Sequence, residues 1–508
     1  MRPAPQLGPI GRLGRYTATH VRTVVLAWVF LALALGFFAP RVEHALSGAG
    51  WEATGSESVQ ARQLLDREFQ GLSSSALMVV VHADDARAGD PAFQTTVDRV
   101  KRTLSASDAV TTVIAPRPGT SISRDGHTAV IQAGAAANAN DMVRAADDLK
   151  EGLARAGNDD VQVSLTGASG MWSDFNEANK TAMMKSELIS WPVTLGILVL
   201  AFGSLVAAGL PLMLTILGLV AAAGSLYIGT QVMDISIWAM NFALMFALAL
   251  GIDYALFVVM RFRAAFFGSR LSAQEATAVT MDTAGKAVLF SGLTVLISLS
   301  AVMLVPSPAF RSMALGIMLS VFFVLAATLT LLPAVLAKLG PKVDSLALRW
   351  VHSGEHRSSR FAAWAQRLWR RPLAYGAVAL VALVALSLPV LHLDTGMPSI
   401  KVVPQGDGSR QGYEQVQAAF GAGAPGALQI VARTPDAPAA ATALAADRGI
   451  AQVLGAQAGA GDHVLITAVP RTDPSDPAVA ATSAASRLGV TICSAPGAPL
   501  PKACWTWV

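Results

Sequence analysis

NFALMFALALGIDYALFVVMRFR, residues 241–263, is an apolar stretch long enough to cross a bilayer, with a single acid, Asp253, near its middle. A membrane-spanning helix needs about 20 such residues. An ionised carboxylate at bilayer depth costs roughly 2.5–3.5 kcal/mol. A chain keeps such a residue where it is paired, hydrated or used to move protons or ions. The stretch therefore predicts a helical membrane protein in which Asp253 is the candidate proton carrier.

Six further apolar stretches are long enough to span a membrane. The seven predicted spans are residues 21–39, 186–206, 209–230, 237–260, 285–305, 311–336 and 373–391. Only 14% of the 508 residues are charged, against about a quarter in soluble domains. The first span has arginines before it, as a signal peptide would, but its apolar run is long for one, so we expect an uncleaved anchor.

The basic residues set the expected orientation. Cytoplasmic loops of membrane proteins are enriched in Lys and Arg. The N-terminal segment 1–20, the loop 261–284 and the loop 337–371 are basic and fall on one side if the spans alternate. We therefore expect these three segments in the cytoplasm and segments 41–185 and 394–508 outside it. The net charge of +4 is small, and its clustering at span ends argues against nucleic-acid binding.

Segment 41–185 alternates strand and helix patterns and carries 19 acids against 14 Lys or Arg. Predicted strands cover residues 76–82, 109–114, 128–133 and 161–166, and predicted helices cover 91–104 and 141–154. The order β-α-β-β-α-β is that of a ferredoxin-like unit. His82, followed by Asp84 and Asp85, offers too few ligands for a metal site and is interpreted as a surface cluster.

The sequence begins to repeat near residue 371. A second apolar span follows Arg371 as the first follows Arg22, and LMVVV at 77–81 matches LQIVA at 428–432 with the same offset, 351, that separates Phe69 from Phe420. The second copy has one span and part of an outer domain, and its pattern dissolves after about residue 488. We expect a chain truncated or frame-shifted relative to a two-copy ancestor; the alternative is a natural seven-span protein with a soluble tail. Cys493 and Cys504, near this end, fit neither a disulfide framework nor a zinc site.

This organisation resembles the resistance-nodulation-division (RND) superfamily, and most closely its MmpL-type (MMPL domain) exporters. The resemblance is carried by GIDYALFVVMRFR at 251–263 and GKAVLFSGLTVLISL at 285–299. It implies a multi-span α-helical membrane protein with α+β ferredoxin-like extracytoplasmic porter domains and an incomplete second repeat. It also implies that Asp253 and Tyr254 are the first of two Asp-Tyr pairs that meet across the repeat axis, and that Ser291 takes part in the proton relay. The second pair is absent from this sequence.

Elementary chemistry offers alternatives for each of these residues. Asp253 lies eight residues before Arg261, about 12 Å along a helix, and instead of carrying a proton it could lock helices together by a hydrogen bond. The Tyr254 hydroxyl can donate to an opposing carboxylate or serve packing alone, and the Ser291 hydroxyl can bond its own backbone. Gly251 and Gly292 are expected to let neighbouring helices approach closely.

The sequence therefore predicts proton-motive-force-driven export of lipids or other hydrophobic molecules across the plasma membrane. The expected partners are membrane lipids, the hydrophobic substrate and protons, and self-association or accessory membrane proteins stay open. The alternatives are a non-transporting lipid-sensing or assembly protein of the same architecture, and an inactive fragment. We expect no enzyme, cofactor or metal site, since the sequence contains no nucleophile–base set, phosphate loop or metal cluster.

Overall fold

The computed structural model describes residues 7–46, 55–69, 71–73, 75–135, 137–269, 271–347, 359–392, 399–475 and 491–493. In these residues, seven helical segments are long and apolar enough to cross a membrane. Most of the tail after residue 488, with Cys504 in it, lies outside the described residues. The described part divides into a helical membrane region and two small α/β units.

The membrane region is built from long apolar helices. They are α2 (Val21–Gly36), α7 (Gly167–Phe202), α8 (Leu205–Thr230), α9 (Trp238–Phe267), α11 (Lys286–Val302), α12 (Pro308–Leu339) and α14 (Pro372–Ser387). Helices α8, α9 and α12 pack on one another and hold most of its core, which includes Phe202, Leu214, Phe262 and Leu332. Helices α2, α7 and α11 lie at the edge of this cluster, and the side chains of α14 are exposed throughout.

The predicted second span differs from the observed helix at both ends. Helix α7 begins at Gly167, far before residue 186, because the polar residues between them continue the same helix. It ends at Phe202 rather than at 206, since Gly203 adopts a left-handed φ of 70° and Ser204 caps α8 by accepting a hydrogen bond from Ala207 N. A left-handed glycine is a common helix stop.

The segments expected to be cytoplasmic are largely helical. They contain α1 (Pro9–Thr19), the end of α9, α10 (Ala273–Thr280), a π-helical turn (Met281–Gly285) and α13 (Ser359–Arg370). The capping box of Ser272 and Glu275 starts α10, and Asp282 accepts a hydrogen bond from Gly8 N at 2.9 Å. Helices α10 and α13 lie within the segments predicted as cytoplasmic loops, 261–284 and 337–371.

Each α/β unit contains a four-stranded antiparallel sheet. The first comprises β1 (Leu77–His82), β2 (Thr112–Ile114), β3 (Thr128–Gly134) and β4 (Gln162–Thr166), with α5 (Pro91–Ser105) and α6 (Ala139–Ala154). The second comprises β5 (Leu428–Arg433), β6 (Ile450–Ala458), β7 (His463–Pro470) and β8 (Thr491–Cys493), with α16 (Ala437–Ala446). The strand orders, β2-β3-β1-β4 and β6-β7-β5-β8, are equivalent, as the repeat predicted.

The two units exchange helices. Helix α4 (Glu57–Glu68) precedes the first unit in sequence, but its Leu65 packs on Val431 and Leu465 of the second sheet. Helix α15 (Gly408–Phe420) precedes the second unit, but its Val416 packs on Val80 and Val130 of the first. Because α5 and α6 cover the opposite face of the first sheet, β1 is buried on both faces. This explains the unbroken apolar run LMVVV, since alternate strand residues point to opposite faces.

Candidate functional site

Helix α9 has two opposite faces. Its buried residues recur every three or four positions along one side; they include Ala239, Ala243, Ala247, Gly251, Tyr254, Val258 and Phe262. Its most exposed residues recur every four positions along the other side; they are Met245, Ala249, Asp253, Phe257 and Arg261. This spacing keeps residues on one face of a helix. The candidate proton carrier therefore lies on the outward face of the helix cluster.

Asp253 is the only acid on that outward face, where its neighbours one turn away are Ala249 and Phe257. Within the described residues the carboxylate has no hydrogen-bond or ion-pair partner. Met245 and Phe257 are 61% and 51% exposed, so the surrounding surface is apolar. A carboxylate on an apolar membrane-facing surface is costly unless something polar covers it.

The side chain of Tyr254 lies about 100° around the helix from that of Asp253. Its ring is buried, and its hydroxyl lies 3.5 Å from the hydroxyl of Ser291 on α11. This distance is longer than the roughly 2.5–3.0 Å of ordinary hydroxyl–hydroxyl hydrogen bonds, so the contact is weak. The structure thus brings together two of the three predicted relay residues, whereas Asp253 is turned away from them on the helix.

Gly251 of α9 faces α8, and Gly292 of α11 faces α12. A Cβ at Gly251 would lie 2.4 Å from the hydroxyl oxygen of Thr215 on α8, and a Cβ at Gly292 would lie 2.7 Å from a methyl group of Leu325 on α12. Both contacts are shorter than side chains tolerate. The absence of a side chain at these positions therefore sets how closely the helix carrying Asp253 approaches α8, and how closely α11 approaches α12.

The sequence did not predict a buried ion pair at the end of α9. Arg263 Nε lies 2.8 Å from Asp344 Oδ1, with both side chains about nine-tenths buried. Arg263 Nη1 donates to the carbonyl oxygen of Phe202, the last residue of α7, at 2.6 Å. Apart from this charge contact, neither Asp344 oxygen has a hydrogen-bond donor within the described residues. Arg263 thereby ties α9 to the end of α7 and to the 3-10 turn (Gly340–Asp344) that follows α12. The only signal in the sequence was an arginine beyond the apolar run.

A second polar site lies in a cleft of about 690 Å³ that is lined by α6, β4, α7 and the segment leading into α15. Lys150 of α6 pairs there with Glu177 and Asp174 of α7, and Asp174 accepts a hydrogen bond from Ser409 N at the start of α15. Burial alone would lower the pKa of Lys150. The hydrogen bond to Glu177 and the negative charges of Glu177, Asp147 and Asp174 outweigh this effect, so the pKa of Lys150 is raised. No pattern in the sequence indicates this cluster, because its members come from three separate segments.

Asp407, which precedes α15, lines the same cleft. Burial and the negative charges of Asp174 and Glu177 raise the pKa of Asp407, against the opposing effect of Lys150. The carboxyl group therefore accepts a proton more readily here than in water. Elsewhere, His82 Nδ1 lies 2.9 Å from the Thr128 hydroxyl, and no group of three metal-ligating side chains occurs in the described ranges.

Comparison with protein families gives one match: residues 50–375, well over half of the chain, match the model of the MMPL family. Similar curated proteins extend this match over more of the chain. Membrane protein YdfJ of Bacillus subtilis is 29% identical over 91% of this chain and 64% of its own length.

Two other relatives have names that describe transport. The mycolic acid-containing lipids exporter MmpL11 of Mycolicibacterium smegmatis is 29% identical over 82% of this chain and 45% of its own length. The heme uptake protein MmpL11 of Mycobacterium tuberculosis is 27% identical over 81% of this chain and 43% of its own length. The chain thus spans roughly half to two thirds of the length of these relatives.

Proposed function

Since the chain belongs to the MMPL family and is a multi-pass membrane protein, we propose that it acts in the export of lipids or other hydrophobic molecules, driven by protons that pass through Asp253. In this proposal its α/β units are ferredoxin-like porter domains outside the cytoplasm. The seven spans and both porter units of this chain act together with further membrane helices.

The observation that carries the proposal is the position of Asp253. The acid stands alone on the outward, apolar face of α9, about 12 Å from the end of the span marked by Arg261. A purely structural acid would be paired inside the helix cluster, as Asp344 is with Arg263. An acid that must meet a proton, and then a partner on another set of helices, is better placed on the surface where those helices dock.

Tyr254 and Ser291 support a relay that continues from Asp253 through the contact between α9 and α11. The tyrosine is buried next to α11. It directly follows Asp253 in α9, so a movement of the helix caused by a change in the charge of Asp253 would also move Tyr254. Gly251 and Gly292 allow the tight packing that would transmit such a movement to α8 and α12. Moving one charge across the membrane potential supplies about 2.3 kcal/mol per 100 mV.

The α/β units support the proposal through their strand order. Order β4-β1-β3-β2 with two helices on one face favours the interpretation of the first unit as ferredoxin-like. The exchanged helices α4 and α15 connect the units through contacts that include the hydrogen bond from Ala460 N to Glu68 O and that from the Thr166 hydroxyl to Ser409 O. A movement of one unit would therefore carry the other with it. The names of the relatives support a hydrophobic cargo.

The test is a replacement of Asp253 by Asn in the protein expressed in its own host, with export of labelled cell-envelope lipids as the readout. Asp234→Asn is the matched control, because Asp234 is an exposed acid in the short connection before the same helix. We expect Asp253→Asn to abolish export while membrane insertion and protein level stay normal, and Asp234→Asn to leave export intact. Normal export by Asp253→Asn would refute the proton role, and normal export after collapse of the proton gradient would favour a function without proton coupling.

A further inference from the structure

The helix that carries Ser291 contains a π-helical turn near its start. Helix α10 (Ala273–Thr280) and helix α11 (Lys286–Val302) are joined without a break by this π turn, Met281–Gly285. A π turn holds one residue more than the α-helical turn it replaces, and such turns are rare and often occur at functional sites. The extra residue shifts every later position of the helix by about 100° and 1.5 Å. The direction in which Ser291 points therefore depends on this turn.

The N-terminal helix α1 packs directly on the π turn. Asp282 accepts a hydrogen bond from Gly8 N at 2.9 Å and pairs with Lys286 Nζ at 3.0 Å. A Cβ at Gly14 would lie 2.5 Å from the side chain of Met281, closer than side chains tolerate. Because Gly14 has no side chain, α1 can approach the first residues of the turn this closely.

The π turn is also in contact with α9, where Arg261 Nε donates a hydrogen bond to the Thr283 hydroxyl at 3.2 Å. The turn is thus held by groups outside its own helix. Since π turns are rare, a helix without such contacts is α-helical by default. The contacts with α1 are therefore expected to keep the extra residue in place.

Relaxation of the π turn would change what faces Tyr254. If the turn became α-helical while α10 stayed in place, each residue of α11 would take the position of the residue that follows it. Phe290 would then stand where the Ser291 hydroxyl now lies 3.5 Å from that of Tyr254. Ser291 itself would be turned away by about 100°, and the contact between the two hydroxyl groups would be lost.

We propose that α1 positions Ser291: its contacts with the π turn hold the extra residue there, and the turn sets α11 in the register that brings the Ser291 hydroxyl to Tyr254. Gly14 and Asp282 are then positioning residues, because they act on Ser291 through the turn and not by contact. Displacement of α1 would disconnect Ser291 from Tyr254 without altering either residue. The relay role of Ser291 rests on the proposed function, but the register of α11 can be measured without transport.

The test uses the full chain with Cys493→Ser and Cys504→Ser, so that only introduced cysteines can form a disulfide under mild oxidation. A Cβ at Gly292 would lie within 3.2 Å of three side-chain atoms of Leu325, a separation that suits a disulfide, whose Cβ atoms lie about 3.8 Å apart. Gly292→Cys with Leu325→Cys therefore reports the observed register. Ser291→Cys with Leu325→Cys reports the relaxed register, in which residue 291 takes the position of residue 292.

Gly14→Leu displaces α1 from the π turn, and Thr19→Leu is the matched control, because Thr19 is exposed on the same helix. Without either change, and with Thr19→Leu, we expect the disulfide between positions 292 and 325 to dominate. With Gly14→Leu we expect its yield to fall several-fold and the yield of the disulfide between positions 291 and 325 to rise several-fold.

Deletion of Ala284 from the π turn gives the second measurement. With one residue fewer the turn becomes α-helical while the residues after it keep their positions, so positions 292 and 325 should cross-link with or without Gly14→Leu. This rescue distinguishes a shift of register from a failure to fold, which the deletion would not repair.

Unchanged cross-linking in Gly14→Leu would overturn the proposal, as would loss of the disulfide between positions 292 and 325 on deletion of Ala284 alone. A loss of both disulfides in Gly14→Leu that the deletion does not restore would overturn it too. Export is not measured at any step, so the result does not depend on whether Asp253 carries protons.

Discussion

The hydroxyl of Tyr254 lies 3.5 Å from the hydroxyl of Ser291, and this contact connects the helix that carries Asp253 with its neighbour α11. Adjacent residues on a helix diverge by about 100°, so Tyr254 can be buried while Asp253 faces outward. These two neighbouring residues of α9 therefore lie in different environments. Tyr254 is surrounded by side chains of this chain, whereas the surface around Asp253 is apolar and is not covered by the described residues.

The Tyr254–Ser291 contact is expected to stabilise the fold only weakly. We predict that Tyr254→Phe and Ser291→Ala show a coupling of about 0.5 kcal/mol in a double-mutant cycle, because a long hydroxyl–hydroxyl hydrogen bond contributes less than the typical value of roughly 1 kcal/mol. Thermal unfolding of the purified variants in detergent measures this coupling free energy. Strictly additive effects of the two substitutions would show that the hydroxyl groups do not interact.

Gly251→Ala should destabilise the protein by about 1–3 kcal/mol, since the new methyl group would overlap the Thr215 hydroxyl and overpacking has this cost. Gly209→Ala is the control, because a Cβ at Gly209, on α8, meets nothing within 4 Å. Thermal unfolding in detergent compares them. The combination of Gly251→Ala with Thr215→Ala should recover part of the loss, and a Gly251→Ala protein as stable as the control would contradict the close approach of the helices.

Arg263→Gln is predicted to cost about 3–5 kcal/mol, because it leaves the buried Asp344 without its partner charge. The same change at Arg261, which is exposed on the same helix and donates to Thr283, should cost less than about 1 kcal/mol. Chemical denaturation of the purified protein separates the two. If both variants unfold alike, the ion pair does not hold α9 to the turn that follows α12.

The attachment of α15 to the first unit should strengthen as pH falls. The pKa of Asp407 is raised in the folded protein by burial and by Asp174 and Glu177. A group with a raised pKa binds its proton more tightly in the docked state. Its contribution is therefore full below the ordinary value of 3.8 and is lost as pH rises through the raised pKa.

Hydrogen exchange at the Ser409 amide, corrected for intrinsic pH dependence, measures this attachment, since that amide donates to Asp174. Asp407→Asn should give the protected, low-pH behaviour at every pH while keeping a residue suited to start a helix. Asp436→Asn, at the exposed start of α16, should leave the pH dependence unchanged. A wild-type protein whose Ser409 protection does not vary with pH would contradict the expected effect.

The sequence could predict what depends on composition and local pattern. The apolar spans, the equivalence of LMVVV and LQIVA, and the acid within α9 are all readable because each is a run of adjacent residues. The position of α4 on the second sheet is not, because Leu65 meets Val431 and Leu465 only after the units exchange helices.

The sequence alone also could not predict that Asp253 faces outward from the helix cluster. A helix that is apolar on all sides has no polar stripe to indicate which face points outward. Between residues 242 and 260, α9 is such a helix apart from Asp253 and the hydroxyl group of Tyr254. For the same reason the partner of Gly251 could be expected only as a neighbouring helix. Only the packing of the helices shows that this partner is Thr215 on α8. Arg263 and Asp344 are 81 residues apart, and neither position shows a pattern that indicates the other.

The most direct test of the account is infrared difference spectroscopy of the protonated carboxyl band, recorded across the physiological pH range on the protein in lipid bilayers. The account predicts a band that appears and disappears with pH, is lost in Asp253→Asn and persists in Asp234→Asn. A carboxyl group at Asp253 that stays in one protonation state throughout would contradict it.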